Sequence, residues 1–262
     1  MTWYLRLAIV QLRISTSAAM AYRGDFVLQG AMELVWMSLV LLPLLVLYDG
    51  RDSVAGWDEP SALILMSYFI GLRGVLECVV SPSLVDLVER IRSGAFDYVL
   101  LKPVDAQAMI STSRFEPWKV FDLIGALGLA AYAFALRGEP PAIGDVGLGV
   151  VMFLGGVIAM YSLWIVCAAA SFWVVRLDNL MYLLGAIFDT ARWPVQVFRG
   201  LWRIVFTFVI PVAVMTTYPA MALLGRLDAA TAVAALTGSL GLLAVSRLVW
   251  RAAIRSYTSA SS

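Results

Sequence analysis

Arg73 and Glu77 stand four residues apart in an otherwise apolar stretch, and Glu33 lies in another. A helix puts Arg73 and Glu77 on one face at pairing distance. Ionised groups inside a bilayer are costly, so they pair and face a bundle interior or a water-filled path. Two roles fit: a structural ion pair, or a group on a substrate or gating route. Glu33 is either inside the first apolar stretch or near enough to its edge to be hydrated. Catalytic chemistry finds little here. The chain has no histidine, which removes imidazole bases, proton relays and histidine metal sites together. H-E-x-x-H is therefore impossible, and G-x-S-x-G and the phosphate-binding G-x-x-x-x-G-K-[ST] are missing. Cys78 and Cys167 lie separately in apolar stretches, where cysteine behaves as a small hydrophobe. No catalytic, cofactor or metal residues are expected.

A second charged group lies between Ser81 and Pro117. Ser81 suits an N-cap, Pro82 a first helical position, and Ser93-Gly94 a stop. Leu84, Leu87, Val88 and Ile91 form one apolar stripe, and Asp86, Glu89, Arg90 and Arg92 mark the other side. The pattern predicts a short amphipathic helix, either an ordinary solvated loop helix or a docking element for a partner. Phe96, Tyr98, Val99, Leu100 and Leu101 follow as an apolar patch expected to face lipid or protein.

The elements that must carry these groups are long. Apolar residues dominate six stretches: 26–47, 61–80, 118–136, 146–175, 204–224 and 229–249. About 20 such residues cross the ~30 Å hydrocarbon layer as a helix. The composition, 61% hydrophobic and 14% charged, leaves water an unsuitable solvent for most of the surface. Helices satisfy their own backbone in lipid, so an all-α polytopic membrane protein with six transmembrane helices is expected. Residues 1–25 carry Arg6, Arg13 and Arg23 spread along an amphipathic pattern rather than a signal peptide. With Trp3 and Tyr4 at headgroup level they predict a helix lying in the membrane interface, retained in the mature protein. The stretch 146–175 covers about 45 Å at 1.5 Å per residue, so it tilts or projects, and Gly147, Gly149, Gly155 and Gly156 predict close helix packing.

Lysine and arginine set the topology. With the N-terminus inside, fifteen fall on the cytoplasmic side, among them Lys119 in the loop after the second span and Arg199 and Arg203 before the fifth, and three outside, so both termini are expected in the cytoplasm. Residues 179–197 admit two arrangements. Either they form a cytoplasmic hairpin followed by a full span at 204–224, or they form a short span followed by a re-entrant pair over 198–224, broken at Pro211 and Pro219. The charge count favours the first.

The run Glu89-Arg90-Ile91-Arg92-Ser93-Gly94-Ala95-Phe96-Asp97-Tyr98-Val99-Leu100-Leu101-Lys102-Pro103-Val104 resembles the E-R…G-x-(L/F)-(E/D)-x-x-L-x-x-P-V pattern of ABC type-2 permeases. Arg192-Trp193-Pro194, the run from Phe206 to Ala213, Tyr218-Pro219-Ala220, Leu223-Leu224-Gly225 and the basic, small-residue tail of Trp250-Arg251 and Arg255 to Ala260 resemble later landmarks of a bacterial permease-component subfamily. The resemblance implies a single permease domain over 1–262, with 1–25 as interfacial helix and 81–117 as cytoplasmic coupling loop. It implies the membrane subunit of an exporter in the bacterial inner membrane, with re-entrant outer helices before the last span, which supports the second arrangement of residues 179–224 against the charge count. That subunit works with a second permease, identical or homologous, and two ATP-binding subunits that hold ATP and Mg. On that reading Asp86, Glu89, Arg90, Arg92, Gly94 and Asp97 form the ATPase-coupling surface; Glu33, Arg73 and Glu77 are the intramembrane polar set. The expected partners are these subunits and the lipid bilayer, with no nucleic acid. The rival expectations are an ion-coupled secondary carrier or channel working without an ATPase, and a membrane enzyme acting on lipid-linked substrates.

Overall fold

The computed structural model describes residues 2–21, 23–173 and 178–257. Among them every extended element is helical, and strand-type pairing is limited to one bridge between Val54 and Trp57. The elements are α1 (Thr2–Ala21), α2 (Arg23–Tyr48), α3 (Glu59–Arg92), α4 (Ala106–Ser111), α5 (Pro117–Arg137), α6 (Ile143–Phe172), α7 (Asp178–Phe188), α8 (Leu201–Val209), α9 (Ala213–Leu223) and α10 (Ala229–Arg255). Five of them, α2, α3, α5, α6 and α10, are long and apolar enough to cross a membrane; α8 with α9 makes a sixth only if the bent pair is one span. The chain is an all-α polytopic membrane protein. Arg176, the Thr258–Ala260 part of the tail and the side chains of Trp3, Tyr4 and Leu5 lie outside the described residues.

α3 is the hub. Ile64, Leu65, Met66, Phe69 and Leu72 are fully buried. In lipid no hydrophobic force drives helices together, so small residues and polar contacts decide which pairs approach. A Cβ on Gly74 would meet Asp122 at 2.9 Å, which brings α5 onto α3. On α6, added Cβ atoms at Gly149, Gly155 and Gly156 would strike Tyr68 and Leu223, Leu236, and the Met215 backbone. Three of the four expected packing glycines therefore pack; Gly147 faces open space.

The end of α3 differs from expectation. Ser81 caps nothing and Pro82 does not start a helix: α3 runs unbroken to Arg92 through a wide turn at Leu76–Val80. A π turn relieves the clash that proline makes inside a helix. Pro82 has no N–H to give, and the Cys78 carbonyl accepts instead from the Glu116 N–H at 2.9 Å. The expected stop is where the sequence placed it, since Gly94 takes φ +74°.

Residues 178–224 follow the re-entrant arrangement. Phe188 stacks on Phe69 of α3 at 5.4 Å and meets Trp164 of α6 edge-on at 5.8 Å, so this segment runs through the bundle. Beyond it the Val195 N–H donates to Thr217 Oγ1, Thr216 Oγ1 donates to the Ala191 carbonyl, and Gln196 lies on Met221. The chain leaves at Gln196 and comes back to the same place at Met221. It bends by 67° between α8 and α9, at Pro211. Pro219 is no break: a wide turn over Ala213–Thr217 precedes it and the helix continues. The charge count is corrected accordingly. Arg203 shares a groove with Asp228, at the opposite end of α10 from Arg247.

Candidate functional site

α3 carries two charged groups, one at the wide turn and one on its projecting end. At the turn, Arg73 Nε donates to Glu77 Oε1 at 2.7 Å and its guanidinium lies over Trp36. Lys119 Nζ, at the start of α5, donates to Glu33 Oε1 on α2 at 2.6 Å and to Glu77 Oε2. One ammonium therefore ties α2, α3 and α5 together. The three expected residues do meet, but through a lysine the sequence reading counted as a loop charge. Asp122, one turn on, was also missed; it is buried, and its carboxylate oxygen lies within 4.8 Å of those of Glu33 and Glu77. The signal for both was available: charges within a few residues of an apolar stretch must find partners. Three carboxylates could ligate a cation, but Lys119 already sits on two of them, so a metal would have to displace it. The cluster opens into a cleft of about 510 Å³ lined also by Gln29, Ser81 and Arg114. Glu116 lies on the same cleft. Burial outweighs the nearby Lys119 and Arg114 charges and holds its carboxyl above the ordinary value.

On the projecting end the apolar stripe is confirmed: Leu84, Leu87 and Val88 are buried and Ile91 packs against the core. The opposite side divides. Asp86 is engaged, accepting from Arg90 Nε at 2.7 Å and from Ser113 Oγ at 3.0 Å. Glu89 and Arg92 are exposed. The apolar patch divides too. Phe96 and Val99 are buried, whereas Tyr98 and Leu101 are 72% and 79% exposed. Phe96 forms edge-to-face contacts with Phe172 and Tyr257 at 5.3 Å each, and Trp250 completes the group. These rings fasten the segment holding Asp97 to the ends of α6 and α10.

A further polar network was not foreseen. Arg247 of α10 grips both oxygens of Asp105, at 3.0 Å through Nη1, and Gln107 Oε1 at 2.7 Å. Gln107 Nε2 donates to the Tyr161 hydroxyl, which is also 2.6 Å from Ser111 Oγ. α4 is thereby clamped to α6 and α10. Burial pushes the Asp105 carboxyl up, but hydrogen bonds from Arg247 and the Ala108 N–H outweigh it and hold the group below its ordinary value.

Among the described residues, these groups hold no nucleophile–base pair. The arrangement can transmit force, because a rigid helix links an exposed charged tip to a buried ion-pair knot. A family model for ABC-2 family transporter proteins matches residues 34–261. The chain belongs to this family. No curated protein and no solved structure matches it. As an ABC-2 permease it is a multi-pass membrane component of an ABC transporter, and association with ATP-binding subunits goes with that membership. The match covers α3 and both of its charged groups, and it begins just after Glu33.

Proposed function

We propose that this ABC-2 permease is the membrane subunit of an ATP-driven exporter, a single permease domain that forms a translocation path with a second permease, identical or homologous. Two ATP-binding subunits dock on the charged end of α3 and hold the ATP and Mg; the chain has no ATPase site of its own. The observation that carries this is the continuity of α3. Its 34 residues reach about 51 Å at 1.5 Å each, against ~30 Å of hydrocarbon. About 20 Å is left as a lever outside the bilayer, tipped by exposed Glu89 and Arg92. Movement at the tip reaches Glu77 without crossing a loop. Gly94 ends the lever, and Asp97 begins the segment fixed by the aromatic group. Asp86 and Arg90, paired with each other, stiffen the lever and present their outer edges to the ATPase.

The end with Arg90, Arg92, Lys102 and Arg114 is assigned to the cytoplasm of a bacterial inner membrane, with both termini there. Lysine and arginine still favour that side after Arg199 and Arg203 are moved to the other. Export follows the family resemblance of the Glu89–Val104 run.

The test is Glu89→Lys combined with Arg92→Glu in the assembled transporter. Insertion and expression are expected to hold while transport-coupled ATP turnover falls by about tenfold, the loss of roughly one charge-assisted contact. Unchanged turnover and transport in the double variant would remove the coupling assignment.

A further inference from the structure

The re-entrant element leaves a groove along α10. Pro211 and Val214 form one wall, and Ala235, Gly238 and Leu242 the other. A second hollow, lined by Arg203, Gln196 and Asp228, joins it through Thr207, Phe208, Tyr218 and Thr231, which both share. The two volumes, about 360 and 350 Å³, make one channel. From Thr231 to Leu242 it follows α10 for about 16 Å, half the ~30 Å hydrocarbon layer. Its chemistry changes along that length. Charged groups and the Tyr218 hydroxyl occupy one end; past Thr231 the lining is almost wholly apolar, with Ser239 Oγ spent on the Ala235 carbonyl.

The charges at the polar end are not equivalent. Asp228 is engaged, accepting from the Thr231 N–H and Oγ1 at 2.9 and 2.6 Å as the cap of α10. Arg203 is exposed and makes no ion pair among the described residues. A cation over a one-leaflet apolar slot is complementary to one kind of molecule, an amphiphile with an anionic head and a long chain. We infer that this groove binds a phospholipid, with one acyl chain between α8–α9 and α10 and its phosphate held by Arg203. The inference rests on the chain working in a bilayer, as the function above requires. It does not depend on any ATP-binding partner.

Gly238 supplies the test. A Cβ there would meet nothing within 4 Å, so a side chain at this position starts into the groove without a clash at its first carbon. The full chain, with whatever subunits accompany it, is extracted in mild detergent and incubated with phosphatidylglycerol or phosphatidylethanolamine. Bound lipid is then counted by native mass spectrometry. The wild type is expected to keep one phospholipid per chain. Gly238→Leu should lower its retention by about tenfold, the loss of about two methylene contacts. Arg203→Ala should lower retention of both lipids. Ala234→Leu, from the exposed rim of the same groove, serves if Gly238→Leu does not assemble. Equal retention in the wild type and the groove-filling variants overturns the inference. So does a Gly238→Leu variant that loses self-association with its lipid count unchanged, because the groove would then be a contact between copies. Failure of ATP-binding subunits to accompany the chain would count against the proposed function and leave the lipid count standing.

Discussion

The Glu116 N–H donates to the Cys78 carbonyl at 2.9 Å, across 38 residues of sequence. Pro82, four residues after Cys78, is what leaves that carbonyl available. The projecting lever is thus fastened to the start of α5 through a backbone carbonyl in the wide turn.

Pro82→Ala gives the helix back its N–H. Proline in a helix interior costs about 3 kcal/mol relative to alanine, though the wide turn already relieves part of that, so a gain of about 1 kcal/mol is expected. The Glu116 amide loses its acceptor. Hydrogen exchange there should quicken while thermal stability in detergent rises; a slower Glu116 amide would contradict this account.

Lys119 holds two acids from two different helices. Its side chain is 9% exposed and that of Glu33 16%. Lys119→Ala strands the carboxylates in a poorly hydrated site and should cost about 3 kcal/mol. The double variant Lys119→Met with Glu33→Gln removes charge from both sides and should recover more than half of the loss. Thermal unfolding of the two variants measures this. A harmless Lys119→Ala would mean the cluster is hydrated and structurally idle.

The Asp105–Arg247 clamp has a pH dependence of definite sign. A carboxyl held below its ordinary value in the fold adds stability above the unfolded value, about 3.9. That stability is lost as pH falls through the lower folded value. Proteolysis of the 101–116 segment should therefore be slow at neutral pH and rise steeply below about pH 4. Asp105→Asn should make it fast at every pH, with a loss of about 1.5–3 kcal/mol.

Two glycines on α6 should respond oppositely. A Cβ on Gly156 would lie 3.0 Å from the Met215 carbonyl oxygen and 3.1 Å from its Cα, which are backbone atoms that cannot rotate away. Gly156→Ala should cost about 1–3 kcal/mol by displacing α9. Gly147→Ala has open space and should gain up to about 1 kcal/mol in helix propensity. Paired melting curves distinguish them.

Five of the spans, the apolar stripe from Leu84 to Ile91 and the stop at Gly94 were legible in the sequence. Hydropathy and helical period are local properties, and a bilayer enforces them residue by residue. The pairing of Arg73 with Glu77 was legible for the same reason, since four residues make one helical turn. Other features were not local. Pro82 reads as a helix start by neighbouring residues alone, and only Glu116, folded back from a distant segment, makes its place inside a helix tolerable. Lys119 reads as a loop cation until α2 and α3 bring Glu33 and Glu77 to it. Charge counting put Arg199 and Arg203 inside, whereas Phe188 between Phe69 and Trp164 carries the preceding segment through the bundle and sends them across. The sequence determined that this chain lives in a membrane as helices, because solvent chemistry acts on each segment separately. Tertiary structure decided which charges meet and where the chain turns back, because those depend on contacts between segments that no single stretch contains.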